Sequence, residues 1–183
     1  MNRGEYLAPI NSSELSIRPM RKSDLAEVLR LEEECFPHPW TRGMLEEELR
    51  RDNGAFLVAR HWRELVGYAG VIYIMEESHV TNLAVRKTAR RKGVAGRLLL
   101  RMIEDGTARG IRFLTLEVRR SNLPAIRLYE RFGFTVIGER KRYYLDDDED
   151  ALIMWTEDIS TPEYQCLLVP IAAALQDKKR GWG

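Results

Sequence analysis

The chain has 183 residues, of which 44% are hydrophobic and 31% are charged, and its formal net charge is +1. That composition is typical of one soluble globular domain and excludes a disordered chain or a membrane-embedded protein. Because the charges nearly cancel, any anion-binding site must come from local clustering of cations.

The first fifty residues predict one strand and two helices. Residues 1–14 are polar, and we expect a flexible leader there. Leu15–Pro19 predicts a short strand. Apolar side chains at helical spacing predict a helix over residues 21–36, which the two prolines of CFPHPW end. Thr41 is expected to cap a second, shorter helix.

From residue 55 the pattern changes to three strands joined by tight turns, rich in Val, Ile and Tyr. The segment ARRKGVAG then places three cations and two glycines before a helix with one apolar face, which ends near Gly110. RFLTLEVRR predicts a strand, and SNLPAIRLYERFG predicts a helix that begins near Asn122. FTVIGERKRYYL and DALIMWTEDI predict a closing antiparallel pair around an acidic loop.

This order of elements predicts an α/β protein with a mixed sheet and helices on both faces. We assign residues 15–159 to one domain and leave residues 160–183 as a C-terminal tail of unknown role. The tail segment YQCLLVPIAAALQ could pack on the domain, form a dimer contact or bind a partner. We expect it to cover apolar surface.

Several features argue for a cytoplasmic protein. The N-terminus lacks the apolar core of a signal peptide, and the longest apolar stretch, residues 165–175, is too short to cross a bilayer. Cys35 and Cys166 lie far apart and can make neither a disulfide scaffold nor a metal quartet. We read both as structural, and we expect no metal and no membrane contact.

The basic segment over residues 90–96 is a candidate anion site. Gly93 lets the backbone approach a ligand, and the helix that begins near Val94 presents unpaired N–H groups at its positive end. The flanking cations suit a diphosphate: Arg86, Lys87, Arg90, Arg91, Lys92 and Arg97. The spacing matches neither of the common glycine-rich phosphate loops. The alternatives are a solvated basic turn and, less favoured because the patch lacks aromatic residues, a nucleic-acid site.

The spacing Arg90-x-x-Gly93-x-Ala95 after VTNLAV resembles the acyl-CoA-binding signature R/Q-x-x-G-x-G/A of the GNAT superfamily of N-acetyltransferases. LTLEVRRSNLPAIRLYERFGF, RYYL and EDALIMW resemble its RimI-like branch, the ribosomal-protein-alanine N-acetyltransferases. The resemblance covers about residues 15–159 and implies the GNAT acyl-CoA N-acyltransferase fold, with a mostly antiparallel central sheet flanked by helices. The third motif position is Ala95 rather than glycine, which the family allows, and Gly96 is expected to keep the turn flexible.

The resemblance also implies acetyl-CoA as the acetyl donor and assigns roles to residues of this chain. It implies Glu117 as the general base and Tyr129 as the general acid. Phe36, Trp40, Tyr143 and Tyr144 resemble the walls of the acceptor groove. The implied cofactor-binding residues are Leu83, Ala84, Val85, Arg90, Arg91, Lys92, Gly93, Val94, Ala95, Gly96 and Asn122.

Glu117 has a plausible position for proton transfer. It lies in the C-terminal half of its strand, where a carboxylate could take a proton from an ammonium group directly or through water. The alternative is a surface glutamate paired with Arg119 or Arg127.

Tyr129 follows Asn122 by two helical turns, so both lie on one helix face and could reach the same ligand. Its phenol could protonate a departing thiolate. The alternative is a core tyrosine beside Leu128 and Phe132. For Phe36, Trp40 and Tyr144, the alternative to a role in the acceptor groove is ordinary packing at the edge of the fold.

We therefore expect direct acetyl transfer to the N-terminal alanine of a small-subunit ribosomal protein. An α-amine titrates near about 8 and a lysine near about 10.4, so a single modest base suits an N-terminus better. The acidic residues 146–150 could attract a basic N-terminal segment or form a solvated loop. Other acceptors, namely broader N-termini, a lysine side chain or a small amine, stay open, as does a non-catalytic acyl-CoA-binding module. We expect no direct contact with nucleic acid, and the oligomeric state is left open.

Overall fold

The computed structural model describes residues 15–176, so the predicted leader and the last seven residues lie outside the described part. The strands are β1 (Leu15–Pro19), β2 (Gly54–His61), β3 (Glu64–Ile74), β4 (Glu77–Val85), β5 (Phe113–Arg119), β6 (Phe134–Tyr144) and β7 (Glu149–Thr156). The helices are α1 (Leu25–Cys35), α2 (Arg42–Glu48), α3 (Val94–Ala108), α4 (Leu123–Arg131) and α5 (Pro162–Gln176).

All seven strands form one sheet in the order β1-β2-β3-β4-β5-β7-β6. Every neighbouring pair is antiparallel except β4 and β5, which run parallel. The predicted mixed, mostly antiparallel sheet is therefore confirmed. None of the helices between residues 15 and 176 is both long and apolar enough to cross a membrane.

The parallel pair separates soon after it begins. Glu77–His79 pair with Phe113–Thr115, and beyond them β5 continues only with β7. The register between β3 and β4 shifts at the same place, because Asn82 and Val80 face consecutive residues of β3 and leave Thr81 as the extra residue. Such a bulge bends its strand and increases its twist. The sheet is thus split between the second halves of β4 and β5.

Helices cover both faces of the sheet, as predicted. On one face α1 and α2 bury Val28, Leu31 and Leu45 against side chains such as Tyr68. On the other face α3, α4 and α5 enclose a larger core. Its burial follows the period of each element, since β5 alternates buried and half-buried residues along its length.

The segment after residue 159 is a helix, where the sequence predicts only a tail. Tyr164, Leu168, Ile171 and Leu175 form one buried stripe of α5 that belongs to the larger core. The Tyr164 hydroxyl donates a hydrogen bond of 2.6 Å to the carbonyl oxygen of Phe132. The expectation that this segment covers apolar surface is confirmed for the part of it that the structure describes.

We predict that Gly133→Ala destabilises the protein more than Gly110→Ala does. Both glycines have φ of +81°, where a Cβ costs about 1 kcal/mol or more. A Cβ at Gly133 would also lie 2.9 Å from Leu167 and 3.0 Å from Tyr164, whereas at Gly110 it would meet nothing within 4 Å. Urea unfolding measures both variants, and Gly110→Ala is the matched control for backbone strain. Equal losses would contradict the packing of α5 on the turn at Gly133.

Candidate active site

The loop between β4 and α3 has the geometry of an anion site. Gly93 caps α3 with φ of 79°, and Arg91, two residues before it, also has a positive φ of 63°. The helical hydrogen bonds begin with the Arg97 N–H, which donates to the carbonyl oxygen of Gly93. The N–H groups of residues 94–96 therefore precede the helical ladder and are directed out of the helix end, where they suit a phosphate.

The flanking cations divide into two groups. Half of them are engaged within the protein: Arg90 with the Val85 carbonyl oxygen, Arg86 with Glu64, and Arg97 with the Leu175 carbonyl oxygen. The side chains of the other three, Lys87, Arg91 and Lys92, form no ion pair with any residue in the described range 15–176. Of these three, Arg91 and Lys92 directly precede Gly93 and are the free positive charges beside the helix end.

Gly96 does not lie in the turn. It occupies the first turn of α3, so the expectation that it keeps the turn flexible is wrong. A Cβ at this position would lie 3.3 Å from Cδ2 of Leu175. The missing side chain allows α5 to approach the start of α3.

A cavity of about 560 Å³ opens where β4 and β5 separate. Its walls come from the α1–α2 loop, β4, β5, α4, the end of β6 and the β6–β7 loop. The sequence-predicted residues that it brings together are Phe36, Trp40, Leu83, Glu117, Asn122, Tyr129, Tyr143 and Tyr144. The other predicted cofactor-binding residues do not line this cavity. Ala84 and Val85 lie at the end of β4, and residues 90–96 lie in the loop between β4 and α3 and the first turn of α3, which we call the anion loop.

Glu117 is a buried, ionised carboxylate in this cavity. Its side chain is 9% exposed, and Oε2 lies 3.0 Å from Nε2 of His79 while Oε1 lies 3.1 Å from Nη2 of Arg140. The hydrogen bond from His79 is the main cause that lowers the pKa of Glu117, and burial opposes it. The alternative prediction, that Glu117 is a surface glutamate paired with Arg119 or Arg127, is wrong, because its partners are His79 and Arg140.

Tyr129 faces the cavity from α4 and is itself buried. Burial raises the pKa of its phenol, so the hydroxyl stays protonated and can act as a donor. Its ring packs 5.6 Å from the ring of Phe134. Asn122 caps the same helix, since its Oδ1 accepts a hydrogen bond of 3.3 Å from the Ala125 N–H. The carboxylate and the phenol thus face one cavity from two different elements.

A second buried carboxylate holds the opposite wall of the cavity. Glu32 on α1 accepts a hydrogen bond of 2.7 Å from the Trp40 N–H and another from the Tyr68 hydroxyl. Burial raises the pKa of Glu32. The sequence does contain a signal for this residue, because Glu32 falls on the apolar stripe of its helix, where an unpaired carboxylate would be costly.

The bulge in β4 places two polar side chains in the cavity wall. The Oγ1 of Thr81 and the Oδ1 of Asn82 are buried, and neither has a hydrogen-bond partner within the described part of the chain. Because buried polar atoms are normally paired, these two oxygens are exceptions within the described part of the chain, and both belong to the bulged segment.

The acidic loop is bound to the protein. Asp146, Asp147 and Glu149 all pair with the guanidinium of Arg119 at 2.6 to 3.0 Å. Asp150 pairs with Lys141. Two cations thus pair with four of the five carboxylates of residues 146–150, so the loop keeps a net negative charge.

The sequence profile of the acetyltransferase (GNAT) family matches residues 25–134 of the chain. A Bacillus subtilis (strain 168) protein, provisionally named a ribosomal protein bS18-alanine N-acetyltransferase, is 38% identical over 141 residues, which cover 76% of this chain and 93% of the relative. The ribosomal protein bS18-alanine N-acetyltransferase of Haemophilus ducreyi is 32% identical over 143 residues, covering 75% and 97%. The crystal structure of the ribosomal-protein-S18-alanine N-acetyltransferase from Escherichia coli superposes with a TM-score of 0.73 at 28% identity, covering 79% of this chain and 94% of that one.

We predict that His79→Phe raises the pKa of Glu117, because it removes the hydrogen bond that chiefly lowers it. Arg140→Gln is the matched control and should raise it less, since Arg140 acts only through its charge. A depressed carboxyl pKa contributes stability above the unfolded-state pKa, and this contribution is lost as the pH falls through the folded-state pKa. Carbon-13 NMR titration of the Glu117 carboxyl measures the shifts. A larger shift in Arg140→Gln would contradict the assignment.

Proposed function

This chain belongs to the GNAT family of acetyltransferases, and on that basis we propose that it transfers the acetyl group of acetyl-CoA directly to the N-terminal alanine of a small-subunit ribosomal protein. The observation that carries the proposal is the placement of Glu117 and Tyr129, an ionised carboxylate and a protonated phenol that line one cavity at the split between β4 and β5. We further propose that the protein acts in the cytoplasm.

The residues present fit acetyl-CoA as the donor. The free N–H groups at the start of α3, with Arg91 and Lys92 beside them, suit a diphosphate. The second half of β4, which has no β5 partner, offers main-chain groups to the amides of a pantetheine arm. Acetyl-CoA supplies an activated thioester, and we propose that Asn122, which lines the cavity, contacts the arm that carries it.

In the proposed mechanism Glu117 accepts the proton of the acceptor ammonium, directly or through one water. Such a base contributes about 10²–10⁴ to the rate. Its low pKa keeps the carboxylate ionised at neutral pH, and His79 and Arg140 hold its orientation. Because the carboxylate is only a modest base, it suits an α-amine, a fraction of which is already neutral at pH 7.

Tyr129 completes the transfer by protonating the thiolate as it leaves. Burial keeps this hydroxyl protonated at neutral pH. The proton that the attacking nitrogen loses as the C–S bond breaks and the amide forms returns to the phenolate, so both protons of the acceptor are accounted for. A main-chain N–H near Leu83 or Val85 would stabilise the oxyanion, since an oriented backbone donor needs no rearrangement during the reaction. No acyl-enzyme is required, so neither cysteine takes part.

The acceptor is inferred from the relatives. Two relatives, aligned over 93% and 97% of their own length, carry names that specify alanine N-acetylation of ribosomal protein bS18. The groove aromatics Phe36, Trp40, Tyr143 and Tyr144 line the cavity beside Glu117, where the first residues of a peptide would lie. We propose that they bind the acceptor.

We predict that Glu117→Gln lowers kcat by about 10²–10⁴ because the proton acceptor is lost. Tyr129→Phe should also lower kcat, while the Kd for CoA changes little in both variants. Steady-state kinetics and calorimetric CoA titration measure these quantities. Glu130→Gln, the exposed neighbour of Tyr129 on α4, is the control and should behave as wild type. Unchanged kcat in both test variants would favour a non-catalytic acyl-CoA-binding module.

We predict that the enzyme acetylates a peptide with the N-terminal sequence of the ribosomal protein and a free alanine amine. The same peptide with a blocked N-terminus and an added lysine should be a poor substrate, because its amine is almost wholly protonated at pH 7. Mass spectrometry locates the acetyl group. Incorporation only into the blocked peptide would overturn the proposed acceptor.

A further inference from the structure

Arg119 is the most heavily engaged cation near the cavity. It is the last residue of β5 and lies two positions after Glu117, so both side chains project from the same face of the sheet. Its guanidinium donates to Asp146 at 2.6 and 2.7 Å, to Asp147 at 2.9 and 3.0 Å, and to Glu149 at 3.0 Å. One strand-end arginine therefore binds two carboxylates of the β6–β7 loop and a third at the first residue of β7.

The same guanidinium also stacks on an aromatic residue of the groove. Its carbon lies 3.9 Å from the ring centroid of Tyr144, within the range of a cation–π contact. Tyr144 meets the ring of Tyr143 edge-on at 5.2 Å, and Arg140, the ion-pair partner of Glu117, lies 5.5 Å over Tyr143. Both tyrosines are thus tied to β5 through an arginine.

The residues that Arg119 holds form one side of the cavity. Tyr143, Tyr144 and Asp146 all line it, and we call residues 143–146 the acceptor wall. Burial is the main cause that raises the pKa of Tyr144, and the nearby Glu117 carboxylate adds to the rise. Burial likewise raises the pKa of Tyr129, and Tyr144 adds to that rise. The acceptor wall therefore adjoins both candidate catalytic groups.

Without Arg119 the acceptor wall would lose the attachment of Tyr144 and Asp146 to β5, and only the contact of Tyr143 through Arg140 and Glu117 would remain. Three carboxylates would then lie together without their shared cation, and like charges at such distances repel. The stacking contact that fixes the Tyr144 ring would be lost at the same time. The loop would relax outward, and the groove beside Glu117 would widen.

We propose that Arg119 is a positioning residue that holds the acceptor wall against β5 and thereby fixes the acceptor peptide relative to Glu117. This inference rests on the proposed function. It assigns the acidic loop a role as the counter-ion of Arg119. The acceptor wall is separate from the anion loop, so the donor side is unaffected.

Kinetic measurements on Arg119→Ala test this inference. The KM for the acceptor peptide should rise about tenfold or more, because small misplacements of a bound substrate are costly. The KM for acetyl-CoA should stay within about twofold, since the anion loop is not touched. Arg119→Lys should recover only part of the peptide KM, because lysine carries a point charge that neither forks between carboxylates nor stacks as guanidinium does.

Arg112→Ala is the matched control. Arg112 lies at the other end of β5 and also binds two carboxylates, Asp158 and Glu76, but it does not line the cavity. Its loss should leave both KM values unchanged. If Arg119→Ala and Arg112→Ala have the same kinetics, Arg119 is an ordinary structural ion pair and the inference is overturned.

Limited trypsin digestion gives a readout that does not depend on the reaction. Lys141 and Arg142 immediately precede the acceptor wall, so a released loop should be cleaved there faster in Arg119→Ala than in wild type or Arg112→Ala. Mass spectrometry identifies the cut. Unaccelerated cleavage contradicts the inference, whereas a wild-type protein that acetylates no peptide contradicts the proposed function alone.

Discussion

The separation of β4 from β5 is the constraint on which the rest of the structure depends. The two strands pair over three residues and then part, and the bulge at Thr81 bends β4 at that point. If β4 and β5 stayed paired along their whole length, their backbone groups would bond to each other, and the space that now forms the cavity would be closed. The split instead provides a cavity with main-chain hydrogen-bonding groups on one side and the side chains of β5 on the other. The anion loop follows directly from the end of β4, so the cavity and the helix end are connected by the strand itself.

The walls of the cavity are fixed by charges that lie partly inside the protein. Glu32 binds the backbone at Trp40 on one side, and Arg119 binds the loop beside Tyr144 on the other. Charges that are partly or fully removed from water are costly unless paired, and paired groups hold a narrow range of geometries. Polar contacts therefore fix the position of both walls, while the apolar cores on the two faces of the sheet stabilise the packing of the helices on the strands.

Much of this arrangement could be predicted from local patterns. Strand periodicity placed Glu117 on the half-buried face of β5, and the helical spacing of Asn122 and Tyr129 placed both on one side of α4. The partners of these residues could not be predicted in the same way. His79 and Arg140 reach Glu117 from strands that are distant in sequence, and their contacts depend on sheet order and register. Helix α5 was missed because Pro170 interrupts its pattern and its hydrophobic residues are spread around the helix, while its burial is set by tertiary packing.

The contact between α5 and α3 links two distant parts of the chain. Leu175 occupies the space above Gly96, and the Arg97 side chain donates to the Leu175 carbonyl oxygen, so the last turn of α5 rests on the first turn of α3. That first turn also carries the outward N–H groups. If a ligand bound at this turn favours the arrangement in which α5 packs on α3, then by thermodynamic reciprocity the packing of α5 strengthens the binding of that ligand by the same factor.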